Sequence, residues 1–173
     1  MNNKSIELLE LSIYNQCDIF FISVEYIKEY YKNTKSMGSG EVWYHIQSFL
    51  TSSANISKLL WGVNKQICES RVVLREKLGV SENSSLKSRK MRNFFEHFDE
   101  HIERWVEENP NSDFVDSNIG PKSMFGNLDK SKFLRHFDPT PKVITFKNYE
   151  FDMEQIEQEV YEIFEKVKEG LNF

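Results

Sequence analysis

SIELLELSIYNQCDIFFISVEYIKEYYK, residues 5–32, decides the fold. Its apolar side chains recur at Ile6, Leu9, Ile13, Cys17, Phe20, Val24, Ile27 and Tyr31. Steps of three and four residues place them on one face of an α-helix, whereas a strand would alternate every second residue. The stretch holds neither Pro nor Gly, so nothing in it interrupts a helix. A long helix with a single apolar stripe buries that stripe against other helices, and the rest of the chain supplies them.

Ser36-Met37-Gly38-Ser39-Gly40 ends the first helix, and the spacing predicts a second over Glu41 to Trp61. Its apolar positions are Val42, Trp43, Ile46, Phe49, Leu50, Ile56, Leu59 and Leu60, and the small run Ser52-Ser53-Ala54 lets another helix approach closely. Gly62 stops it, a third helix runs from Lys65 to Leu78, and Gly79 stops that one. After a polar connection at Ser81 to Ser85, a fourth helix is predicted over Leu86 to Glu108. It has a stripe of Met91, Phe94, Phe95, Phe98, Ile102, Trp105 and Val106, and Asn109-Pro110 closes it. Residues 109–131 are rich in Asn, Asp, Ser, Gly and Pro and read as a loop, either functional or disordered.

Phe133 to Phe137 and Lys142 to Phe146 read as short strands joined by Asp138-Pro139-Thr140-Pro141, with a third candidate at Tyr149 to Phe151. Asp152 then caps a last helix to about Lys168, with Met153, Ile156, Val160, Ile163, Phe164 and Val167 inward and Gly170 as its stop. The predicted fold is mainly α: one domain over residues 1–173, a bundle of four or five helices with a small β-hairpin, about 133–151, before the C-terminal helix.

Composition agrees with a folded chain: of 173 residues 39% are hydrophobic and 14% aromatic, too apolar for disorder. The longest apolar run, Ile19 to Ile22, falls well short of the roughly 20 residues that span a bilayer. The acidic N-terminal sequence has no signal-peptide core, so the expected location is the cytoplasm, with no membrane partner. Cys17 and Cys68 have no metal-ligand spacing and read as small core residues. Walker loops, dinucleotide glycine motifs and nucleophile elbows are absent from the sequence, which removes the enzyme classes built on them. The net charge of −5 opposes non-specific coating of nucleic acid. Between Arg71 and Arg92, however, seven basic residues face only Glu76 and Glu82, which reads either as a local anion-binding patch or as a solvated helix face.

One cluster bears on chemistry: Arg92-Asn93-Phe94-Phe95-Glu96-His97. On a continuous fourth helix Arg92 and His97 stand about 140° apart, flanking the direction opposite the core, while Asn93 shares a face with His97 and Arg92 with Glu96. The cluster resembles the motif of HEPN domains, helical bundles that carry an Arg, a polar residue and a His four to six positions beyond the Arg. That resemblance implies a metal-independent endoribonuclease site formed where two subunits meet, in a stress or phage-defence setting with a cognate inhibitor protein. It assigns His97 and Arg92 as catalytic, and it leaves Asn93, Glu96, Arg89 and Lys90 to bind or orient substrate. It implies no metal and no cofactor. The segments Ala54 to Trp61 and Arg92 to Trp105 also resemble an uncharacterised bacterial helical family, a likeness that assigns no chemistry.

The residue types suit RNA cleavage. Attack of a ribose 2′-hydroxyl on the adjacent phosphate needs a proton acceptor and a cation for the charge gathering on the phosphate oxygens. Histidine titrates near neutrality, and arginine is permanently charged with paired donors. Two other readings stay open. Arg92 can simply pair with Glu96 or Asp99 on an exposed face, leaving a non-catalytic dimerisation or binding module for a protein or nucleotide. His97-Phe98-Asp99-Glu100-His101 also matches the H-x-x-E-H pattern of inverted zinc proteases, although His101 lies close to the apolar stripe.

Overall fold

A computed structural model describes residues 2–32, 38–88, 90, 93–94, 97–110, 113–147 and 149–171. Its first element is the helix expected from residues 5–32: α1 spans Asn3–Tyr31, and the Asn2 side chain caps it by accepting from the Ser5 N–H at 2.8 Å. Ile13, Cys17, Phe20, Val24 and Ile27 along its stripe are fully buried. The second helix, α2, spans Ser39–Trp61 and crosses against α1, with the Phe20 and Phe49 rings 4.7 Å apart between them. Ser52, Ser53 and Ala54 are buried as the small run predicts. The hydroxyls of Ser52 and Ser53 are satisfied by the Ser48 and Phe49 carbonyls within the helix. Gly62 ends α2 at a φ of 65°, and a Cβ there would lie 2.3 Å from Ile67 Cγ2, so the position demands glycine.

The predicted third helix is two short ones, α3 (Lys65–Ser70) and α4 (Val72–Lys77). They part at Arg71, whose guanidinium turns back onto the Lys58 and Leu59 carbonyls at the end of α2. The predicted fourth helix also departs from expectation. A 3₁₀ turn at Ser85–Lys87 is held by the Glu159 carboxylate, which accepts from the Ser85 N–H, and Ser88 is extended. Lys90, Asn93 and Phe94 are helical, His97 interrupts at φ −126° and ψ 36°, and a separate helix, α5, then spans Phe98–Glu108. The helical bond from the His97 N–H to the Asn93 carbonyl is kept at 3.0 Å, but the run is not one straight rod. Of the predicted stripe, Phe94 and Trp105 are buried, Phe98 and Ile102 are partly buried, and Val106 is exposed; Met91 and Phe95 lie outside the described residues.

Residues 109–131 carry more structure than a plain loop. Val115 bridges Phe133, and β1 (Asn118–Ile119) pairs in parallel with β2 (Arg135–Asp138), Asn118 opposite His136. Then β3 (Val143–Phe146) and β4 (Tyr149–Asp152) follow antiparallel, so the expected hairpin is part of a four-stranded sheet in the order β1-β2-β3-β4. The last helix, α6, spans Met153–Leu171, with Asp152 accepting from the Gln155 N–H at 3.0 Å as its cap. Gly170 does not stop it. That glycine lies inside the helix beside the Glu10–Lys77 ion pair, where a Cβ would meet both partners at 3.4 Å. A continuous core joins α1, α2 and α6 to one face of the sheet through Phe137, Ile144, Phe146 and Phe151. No helix among the described residues is long and apolar enough to cross a membrane.

Candidate functional site

Phe94 anchors the segment that carries the motif. Its ring is buried, 5.9 Å from Phe146, 5.0 Å from Tyr149 and 4.4 Å from the His101 imidazole, so the chain is pinned to the β3–β4 hairpin there. With Phe94 inward, Asn93 and His97 on either side of it are exposed. Lys90 lies 4.6 Å above the Tyr149 ring on the same hairpin. Arg92, Glu96 and Arg89 lie outside the described residues.

His97 sits at the N-cap position of α5, and its Nδ1 is 3.3 Å from the Glu100 carboxylate one turn on. With the proton on Nδ1, His97 donates to Glu100 and keeps a lone pair on Nε2. The side chain is 53% exposed, so a substrate can reach it.

His101 is set apart from this pair. It packs on Phe94, and burial, followed by the charges of Lys147 and Arg104, holds its pKa below the usual histidine range. The H-x-x-E-H reading therefore loses its geometry: one histidine is committed to a ring stack while Glu100 engages the other. Among the described residues no group of three His, Cys, Asp or Glu side chains is placed to hold a metal ion.

Four cations of the basic segment are engaged within the fold, while Arg89 and Arg92 lie outside the described residues. Arg75 is buried and donates to the Leu60 and Cys68 carbonyls and to Glu82. Arg71 closes α2, Lys77 pairs with Glu10, and Lys87 pairs with Glu82. These four cations serve carbonyls and carboxylates of the chain itself. Cys17 is a packed thiol as expected, its pKa pushed up to about 12 by burial and by Asp18, and Cys68 is half-buried and free.

One pairing escaped sequence reading. Arg135 on β2 grips Asp116 with two hydrogen bonds, at 2.7 and 2.5 Å, and its guanidinium lies 4.7 Å from the Phe98 ring centre. Burial pushes the Asp116 carboxyl up, but Arg135 outweighs it and holds the pKa below the ordinary value. Beside this pair is a cleft of about 130 Å³ walled by Trp43, Phe98, Phe146 and Arg135. Phe98 lines this cleft, and His97 is not among its lining residues. Asp116 and Arg135 share no periodicity and meet only through the fold of the 109–131 segment. His136 and His45, for which the sequence offers no partner, are also placed: His136 meets Asn118 at 3.0 Å, and His45 stacks on Tyr26 with ring centres 4.2 Å apart.

Protein-family models, curated proteins and solved structures were all compared with this chain, and none matches it.

Proposed function

We propose that this protein is a HEPN-like, metal-independent endoribonuclease, with His97 as the proton acceptor and Arg92 as the cation for the phosphate. The observation that carries the reading is the exposed His97–Glu100 pair, with Nδ1 3.3 Å from the carboxylate. Glu100 engages one imidazole nitrogen of a side chain that is half exposed, which leaves His97 within reach of an RNA. Asn93, Lys90, Arg89 and Glu96 are assigned to binding or orienting the RNA. The reading carries with it a cytoplasmic homodimer restrained by a cognate inhibitor, acting in stress or phage defence.

Its chemistry has a direct test. An attack by the 2′-hydroxyl leaves a cyclic phosphate and needs no metal, so cleavage of single-stranded RNA should persist in excess chelator and yield cyclic phosphate ends. Cleavage that stops on chelation and resumes with zinc would contradict it.

A second reading, a non-catalytic dimerisation or binding module for a protein or nucleotide partner, is favoured by the apolar side chains exposed on α1, α2 and α6, among them Ile22, Tyr44 and Tyr161. Binding without turnover, unaffected by His97→Ala, is its signature.

A further inference from the structure

The outward face of α1 has a pattern that its buried face does not explain. Leu8, Leu11, Ile19 and Ile22 are 54%, 41%, 44% and 57% exposed, on a helix whose opposite side is buried from Glu10 to Ile27. With Asn15 they occupy an arc of about 80°. Lys4 and Tyr26 extend the same stripe at its two ends.

The positions 4, 8, 11, 15, 19, 22 and 26 are separated by 4, 3, 4, 4, 3 and 4 residues, a series that reads identically from either end. Laid antiparallel on a second copy and centred at Asn15, Leu8 meets Ile22, Leu11 meets Ile19, Lys4 meets Tyr26, and Asn15 meets itself. A two-fold interface requires this self-complementarity, whereas a different partner imposes no symmetry on the stripe. A step of 11 residues over three turns also suits nearly straight helices, so the contact can run the length of the stripe.

The chemistry at the ends agrees. Lys4 of one copy is brought within a turn of Glu25 and Glu29 of the other, and each positive helix N-terminus lies beside a negative C-terminus. Tyr44 on α2 and Tyr161 on α6, both exposed, border Ile22 on either side and widen the apolar area. At the centre, two Asn15 amides can each donate to and accept from the other, while any shifted register would put an amide against an apolar side chain.

We propose that this face is the dimer interface of the protein: two α1 helices packed antiparallel about a two-fold axis through Asn15. This surface is distinct from the motif-bearing segment, where the ribonuclease resemblance places the subunit contact; it rests on α1 and stands whether or not His97 cleaves RNA.

Cross-linking without RNA tests both symmetry and register. In a Cys68→Ser background, with Cys17 buried, Asn15→Cys should form a disulfide-linked dimer under mild oxidation. Leu8→Cys alone and Ile22→Cys alone should not, because position 8 and its own copy are about 21 Å apart along the axis. The two variants mixed should cross-link to each other. Light scattering should give twice the chain mass for the wild type and the chain mass for Ile19→Glu/Ile22→Glu, with an unchanged helical circular-dichroism spectrum for both. A monomeric wild type overturns the proposal, whatever other protein then binds the face. So does self-linking of Leu8→Cys, which indicates a parallel pair, or a dimer that survives the double substitution.

Discussion

Arg75 Nη1 donates to the Leu60 carbonyl at 2.9 Å and to the Cys68 carbonyl at 3.0 Å, so one buried guanidinium closes the ends of α2 and α3 together. Its Nε reaches Glu82, and the Trp61 ring lies 5.8 Å from its central carbon. Arg75→Met takes a donor from the Leu60 and Cys68 carbonyls, of which Cys68 keeps the Arg71 N–H at 3.3 Å, and should cost roughly 1–3 kcal/mol in urea unfolding. Arg75→Lys should recover only part of this, because an ammonium lacks the planar fork that serves several acceptors at once.

Phe94 and Phe98 should separate in the same assay. Phe94 is buried among Phe146, Tyr149, Phe151 and His101, so Phe94→Ala should cost about 3–5 kcal/mol. Phe98 is only partly buried at the cleft, and Phe98→Ala should cost about 1–3 kcal/mol, since less apolar area returns to water. Equal losses would place Phe98 in the core and close the cleft.

Stability should fall on mild acidification. Burial, with the charge of Lys122 adding to it, holds the pKa of His136 below its ordinary 6.5, and burial does the same for His101. Both bind protons more readily in the unfolded chain, so their contribution is complete above about pH 6.5 and is lost as pH drops toward the lower folded-state values. Asp116 has a depressed carboxyl pKa, and its contribution disappears only in the acid range below the ordinary aspartate value. Thermal melts at pH 7.5 and 5.5 should therefore differ, with the lower midpoint at pH 5.5, and His136→Gln should reduce the difference.

The helices of the bundle were legible wherever a stripe buries itself against one surface throughout. Residues 5–32 and the segment from Met153 to Val167 keep an unbroken apolar face, and the helices lie where the spacing puts them. The fourth stripe misled because its members serve two surfaces: Phe94 turns to the β3–β4 hairpin, Trp105 reaches the Ser131 carbonyl through its indole N–H, and the axis breaks at His97 between them. Gly170 misled for a different reason, since its lack of a side chain answers a neighbour and not a turn.

The candidate site was legible as a list of residue types but not as an arrangement. Spacing placed His101 close to the apolar stripe, where it packs on Phe94, but did not foretell that Glu100 would engage His97. The Arg135–Asp116 pair was out of reach altogether: it depends on β1 joining β2 in parallel, and two residues of strand in a polar segment leave no pattern to read.

The central claim is that His97 accepts a proton in metal-independent RNA cleavage, and the most direct measurement is the cleavage rate of single-stranded RNA in chelator by wild type, His97→Ala and Arg92→Ala. His97 is exposed, so its loss should leave the unfolding midpoint nearly unchanged while the rate falls by about 10²- to 10⁴-fold. Arg92→Ala should lower the rate comparably. Glu100→Gln should give a smaller loss, because the glutamine carbonyl can still accept from Nδ1. Wild-type cleavage that His97→Ala leaves intact, or a pure wild-type protein that cleaves no RNA, would contradict the account.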